Sequence, residues 1–381
     1  YSHHNYYFET NNSTFLIGLL LKIQDHQKNV IVITSAQTIE SKLYAQLSTF
    51  TNNCLLFPNS YSTDLIFDID MEGLRLNTLH QTMTVSAPQI YFTSIQGLTQ
   101  HCPAPEDLAQ NTLSINVNDT IDIELTKTYI ESIGYQQKER VRNKLEYTVR
   151  NNIIDIYPPN ALSPIRIDTW GDEVESIRYF DISNQKSHDT TNAIDILPQI
   201  DSPSGSLFDY LENVTVIFYQ PDMIEDQWYT KKAPNHFIQN ETILNRTNQQ
   251  MFISKHSPKH IDPNAKIQTD STAFELFNRT FNCLRISDQI SFENRFYYQK
   301  NALNRSLNDA LDQGFKIIVT YPSDAEKHHF EGLINDSELN SQIQYEPYYL
   351  TDIFICEMTK CLIFPTYTLT KKERLYRPVL H

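Results

Sequence analysis

The sequence predicts a multidomain chain of mixed α/β and α+β class. Three observations carry this. Helical and short apolar strand patterns alternate through the first hundred residues, a period-two pattern runs from Glu146 to Asp181, and helix and strand alternate again after about residue 300. A length of 381 residues fits two or three compact units, because domains of roughly 100 to 200 residues are the norm.

In chain order, an apolar helical stretch covers about Thr14 to Ile23 and a buried strand reads Val30 to Ile33. Thr34 and Gln37 have capping-box spacing before a helix carrying Ile39, Leu43 and Leu47. Cys54 to Phe57 reads as a short strand, Met71 to Leu79 as a helix and Ile90 to Thr93 as a further strand. After Pro105 the character changes to a short helix ending near Gly134, then alternating strands through Asp181, as in an α+β insertion. The apolar run Val214 to Tyr219 is expected to return the chain to the first sheet, and Lys255 to Asp270, with Pro258 and Pro263, reads as a linker. The helix Asn301 to Leu311 stops at Gly314, where glycine accepts the left-handed conformation. Ile317 to Thr320 follows as a strand, Ser323 and Glu326 form a second capping box before a helix with Phe330 and Leu333, and strands at Ile353 to Cys356 and Leu362 to Phe364 complete a small α/β unit. The expected domains are residues 1–107 with 198–260, residues 108–197 and residues 265–365, with 366–381 as a tail or linker.

Composition narrows the function classes. The chain is 40% hydrophobic and 12% aromatic, and no apolar run approaches the ~18 residues of a membrane span, so no membrane role is expected. Phe15 to Ile23 is interrupted by Gly18 and Lys22 and has no basic start or cleavage site, so it is not a signal peptide. Five scattered cysteines without a CxxC pair argue against a disulfide framework or zinc ribbon, which makes a reducing cytoplasm the natural compartment. Asn-x-Ser/Thr triplets such as Asn213-Val214-Thr215 and Asn245-Arg246-Thr247 are the chance product of an Asn-rich chain. A formal net charge of −15 opposes strong sequence-independent binding of nucleic-acid backbones.

The usual catalytic patterns are missing. Eight glycines form neither GxGxxG nor GxxxxGK[ST], and there is no GxSxG or HExxH. His256 and His260 are separated by Pro258, which removes the helical geometry a metal pair needs. His328 and His329 are adjacent and diverge on a helix, one expected to pack and one to be solvated. Cys356 and Cys361 read as small buried hydrophobes. Asp172-Glu173 has the look of an acidic helicase box, but Gly171-Asp172 also makes a two-residue hairpin turn, and the turn is the better reading.

The stretch Glu146 to Asp181 is different. In the strand Ile165 to Trp170, alternation puts Arg166, Asp168 and Trp170 on one face and Ile165 and Ile167 on the other. A turn at Gly171-Asp172 would set Asp168 opposite Glu175, a like-charge pair that Arg166 or Arg150 would have to neutralise. Lys138, Arg140, Arg142 and Lys144 recur every second residue as a basic stripe. Ordinary surface ion pairs would be worth about 0 to 1 kcal/mol. Exposed Arg and Trp are also the residues enriched at interface hot spots.

The run Tyr147-Thr148-Val149-Arg150, Ile153 to Pro158, Pro164 to Asp168 and Gly171 to Arg178 closely resembles the second domain of bacterial transcription-repair coupling factors (Mfd), shared with the excision-repair protein UvrB. Weaker likeness extends to Ile90 to Pro105, Phe208 to Tyr219 and Lys316 to Phe364. The resemblance implies a helicase-like α/β domain with a degenerate phosphate loop at about Glu9 to Leu21, an inserted UvrB-type domain of antiparallel strands plus a helix, and a small α/β domain. It implies UvrA as partner, with contact residues at Arg150, Arg166 and Trp170. Trp170 stands where the family has Phe, and Asn151-Asn152 replace a glycine-containing turn. It further implies an amino-terminal fragment or truncated relative of a coupling factor. RNA polymerase and double-stranded DNA would be engaged through regions absent from this sequence, and ATP and magnesium would belong to a carboxy-terminal motor. No catalytic residue, cofactor or metal is expected in this chain itself. The leading expectation is a non-catalytic adaptor for transcription-coupled repair. The alternatives are a divergent helicase-like ATPase acting on DNA and an autoinhibitory module that masks the UvrA-binding surface.

Overall fold

The computed structural model describes residues 6–9, 12–24, 28–61, 66–212, 214–220, 223–224, 249–254, 300–334, 336–356 and 359–370. The candidate linker Lys255 to Asp270, the histidines His256 and His260, the tail from Lys371 and the asparagines Asn213 and Asn245 lie outside them.

Three main sheets organise the described residues, so the fold is mixed α/β and α+β. The first is a parallel sheet of Tyr6–Glu9, Gln249–Ser254, Thr215–Tyr219, Val30–Thr34, Ile90–Ser94 and Cys54–Leu56, in that spatial order. Its central strands are rich in β-branched residues and buried throughout, as parallel strands covered on both faces must be. Thr215–Tyr219 pairs in parallel with Val30–Thr34, which brings a late segment into the early sheet. On one face the helix Ser13–Gln24 buries Leu16, Leu19, Leu20 and Ile23, the i, i+3, i+4, i+7 stripe of an amphipathic helix.

Two capping expectations are corrected. The helix Gln37–Leu47 starts from Ala36 without a side-chain cap, because Thr34 stays in the strand opposite Ser94 and its hydroxyl donates to the Ala36 carbonyl. Ser323 precedes the helix Asp324–Glu331 without capping it, and Glu326 instead accepts from the Thr366 hydroxyl. The helix Ile69–Thr84 begins earlier than expected, since the Asp68 carboxylate accepts from the amides of Asp70 and Met71.

The third sheet orders Ile343–Glu346, Lys316–Thr320, Cys361–Pro365 and Phe354–Cys356, antiparallel only in the last pair. Both His328 and His329 are exposed, Cys356 is buried and Cys361 half-buried. Residues 348–354 join this unit to the first. The Asp352 carboxylate accepts from the Ser13 amide (2.8 Å) and hydroxyl (2.6 Å), Thr14 Oγ1 donates to the Asp352 carbonyl (2.7 Å), and Tyr348 stacks on Phe50 at 4.0 Å. The first turn of the helix Ser13–Gln24 is therefore capped by a carboxylate from a distant part of the chain.

Glu40 is fully buried under the first sheet. Burial holds its pKa well above the carboxylate range, with Ser94 and Arg75 opposing the shift. In the window between the unfolded and folded pKa the native state binds the extra proton, so stability is full at acidic pH and declines as pH rises through the folded pKa. Glu40→Gln is expected to remove this component. In urea unfolding at a series of pH values, the wild type should lose up to about 1.4 kcal/mol per pH unit more than the variant inside the window. Parallel profiles would contradict the assignment.

Candidate protein-docking surface

The second sheet orders Ser187–Thr191, Glu173–Phe180, Ile165–Trp170, Ile153–Ile156, Glu146–Arg150 and Gln136–Gln137. All neighbouring pairs are antiparallel except the last. One face packs Tyr147, Ile154, Ile156, Ile165, Ile167 and Ile177 against Ile130 and Ile133, beside the pair Leu113–Asn116 and Ala193–Ile196. Lys144 ties this sheet to the first unit through Asp70 (2.7 Å) and also donates to the Pro159 carbonyl of its own unit (2.6 Å). Gly73 meets the same Pro159 backbone so closely that a Cβ would lie 1.8 Å from its carbonyl oxygen.

Register fixes what the other face displays. Thr148, Asp155, Arg166 and Arg178 are successive cross-strand partners, as are Arg150, Ile153, Asp168 and Ser176 in the next row, with Trp170 one row beyond. Arg150, Arg166 and Trp170 therefore share the outward face of one sheet. The strand Ile165–Trp170 alternates buried and accessible residue by residue, and it ends in an indole that is 80% exposed. Among the described residues it is the most exposed of the large apolar side chains.

The three residues are held differently. Arg150 is exposed at the end of its strand and donates from Nη2 to the Glu139 carbonyl. The turn that aims it is closed by Asn151, whose φ of +52° is left-handed. Asparagine tolerates that region, so it does the work of the missing glycine. Trp170 adjoins a turn in which Gly171 takes φ +66° and Trp170 stands opposite Glu173. Arg166 is less free than alternation predicts. Its Nε and Nη2 donate to the two oxygens of Asp155 at 2.7 and 2.9 Å, and its guanidinium lies 4.8 Å from the centroid of the buried Phe180 ring. These hydrogen bonds to Asp155 raise its pKa further above the ordinary arginine value.

Two electrostatic expectations are corrected. A bulge between Val174 and Ser176 puts Ser176, not Glu175, opposite Asp168. The Ser176 hydroxyl donates to Asp168 at 3.2 Å and Arg178 pairs with the same carboxylate, so its directly bonded cation is Arg178, with Arg166 a coulombic neighbour. The basic stripe is also broken. Residues 138–145 form no strand, Val141 is buried among Tyr157 and Phe180, and Lys144 turns to Asp70, which leaves Lys138, Arg140 and Arg142 exposed. Sequence reasoning missed Asp155, Arg178 and Phe180. Asp155 was legible as a charged residue in an apolar strand, whereas Arg178 and Phe180 owe their face to the bulge.

Among the described residues no cluster of three or more His, Cys, Asp or Glu is placed to hold a metal ion, and no helix is long and apolar enough to cross a membrane.

Residues 113–201 match the UvrB interaction domain, a span that encloses the whole outward face. The chain is 26% identical over 228 residues to the transcription-repair-coupling factor of Haemophilus influenzae, covering 57% of this chain and 19% of that protein. It is 30% identical over 182 residues to the coupling factor of Borreliella burgdorferi, covering 46% and 16%. It is 28% identical over 189 residues to the UvrABC system protein B of Thermosipho africanus, covering 45% and 28%. The matched region spans under a fifth of the length of these two coupling factors. Residues 113–201 are thus similar to the UvrB interaction domain, and about half of the chain is similar to transcription-repair-coupling factors.

Proposed function

We propose that this chain is a non-catalytic adaptor that recruits UvrA, directing excision repair to RNA polymerase stalled at DNA damage. The observation that carries the reading is Trp170, an indole 80% exposed at the end of an ordered strand, on the same sheet face as Arg150 and Arg166. An aromatic anchor beside arginines is the composition of an interface hot spot, and the match to the UvrB interaction domain supports UvrA as the protein that covers it. The acidic partner surface this implies is also what a chain of net charge −15 can accept only at a local basic site.

The names of the coupling-factor relatives support the transcriptional half of the reading. RNA polymerase and double-stranded DNA would be engaged by other parts of such a factor, and ATP with magnesium by its motor. Nucleotide chemistry at Glu9 to Leu21 is disfavoured by Asp352, whose carboxylate already occupies the first helical turn there and would repel a phosphate. Titrating this chain with purified UvrA tests the proposal. Saturable binding that competes with UvrB is expected, and no binding, or binding unaffected by UvrB, overturns it.

A further inference from the structure

We infer that Asp155 is a positioning residue that presents Arg166 to the acidic partner. The inference rests on the docking surface proposed above and assigns it one more working part. Asp155 is 5% exposed in the middle of an apolar strand and stands directly opposite Arg166 in register. Its two oxygens take Nε at 2.7 Å and Nη2 at 2.9 Å, which uses one edge of the planar guanidinium. Phe180, fully buried, backs the same group at 4.8 Å. A carboxylate on one edge and a ring against one face leave the group a single orientation.

The edge that remains is the one formed by Nη1 and Nη2. Nη1 makes one long contact, to the Gln185 carbonyl at 3.4 Å, a bond weak enough for an incoming carboxylate to replace. A guanidinium can donate to one carboxylate from its Nε edge and to a second from its Nη1 edge, since it carries five donors. Asp155 therefore does not use up Arg166. It holds the side chain with the second, bidentate edge left for the partner, which then orders no flexible side chain on binding. Arg178 stands directly opposite Arg166 in the same row and pairs with Asp168 of the next row, so Asp168 has a cation of its own.

The test is a double-mutant cycle in UvrA affinity with the full chain: wild type, Asp155→Asn, Arg166→Ala and the double variant, each first shown to be folded by thermal melting. Asp155→Asn is expected to weaken binding about tenfold, and in the Arg166→Ala background the same change should do almost nothing, because its route to the partner is gone. A loss of equal size in both backgrounds, or no loss in the single variant, overturns the inference. Should Asp155→Asn not fold, Asp155→Glu keeps the charge but displaces the carboxylate by one methylene, and it carries the same two outcomes. A wild-type chain whose binding depends on Trp170 but whose cycle is additive defeats only the role of Asp155. A wild-type chain that does not bind UvrA defeats the docking surface and this inference together.

Discussion

Trp170→Ala combined with Arg150→Glu is expected to weaken UvrA binding by at least about a hundredfold, since truncating a central aromatic anchor alone costs about 2 kcal/mol or more. Arg150→Glu adds repulsion toward an acidic partner. Neither side chain supports the fold. Trp170 is 80% exposed, and Arg150 is exposed at a hairpin end with one hydrogen bond to a backbone carbonyl. The melting temperature should therefore stay near that of the wild type, because surface substitutions away from caps and networks fall within about 0.5 kcal/mol. Calorimetric titration and a thermal scan on the same sample check both halves. Charge reversal at Arg166 would be a poorer probe, because it would set two carboxylates against each other over Phe180 and damage the sheet itself.

Arg75→Ala is expected to do the opposite, costing about 3 to 5 kcal/mol of stability while leaving the docking face intact. Arg75 is fully buried, and its guanidinium donates to the carbonyls of Pro58 (2.7 Å), Gly97 (2.8 Å) and Gln100 (3.1 Å) while lying 3.9 Å from the Phe57 ring centroid. Removing it leaves those three acceptors without that donor, in a place where burying an unsatisfied polar group is expensive. Burial lowers its pKa, and the nearby Glu72 carboxylate at 3.7 Å opposes that effect and favours the charged form. Urea unfolding should show the lowered midpoint. UvrA affinity measured on the folded fraction should be unchanged, since the outward face belongs to a different sheet.

Much of this architecture is legible in the sequence where a single period dominates. The buried strand Val30–Thr34 and the alternating strand Ile165–Trp170 were readable because five or six consecutive residues repeat one pattern. What stayed hidden depends on contacts between distant segments. Nothing local marks Asp352 as the cap of a helix that begins at Ser13, or Asp195 and its strand as the partner of Leu113–Asn116. The capping boxes failed for the same reason: Thr34 is held by its strand neighbour and Glu326 by Thr366, so tertiary pairing outweighed a local preference. At the candidate site the shared face of Arg150, Arg166 and Trp170 follows from alternation. The bulge after Val174 does not, and it decides which cation serves Asp168. The basic stripe was periodic for no structural reason, since its residues lie in a loop.

The most direct measurement follows the indole itself. The chain has two tryptophans, so a Trp228→Phe variant reports on Trp170 alone. The free protein should emit at the long wavelength of a solvated indole, as its 80% exposure requires. Addition of UvrA should shift that emission to the blue and protect it from a water-soluble quencher, saturably and in step with complex formation. A complex that forms by an independent assay while Trp170 keeps its solvated emission and full quenching would contradict the account.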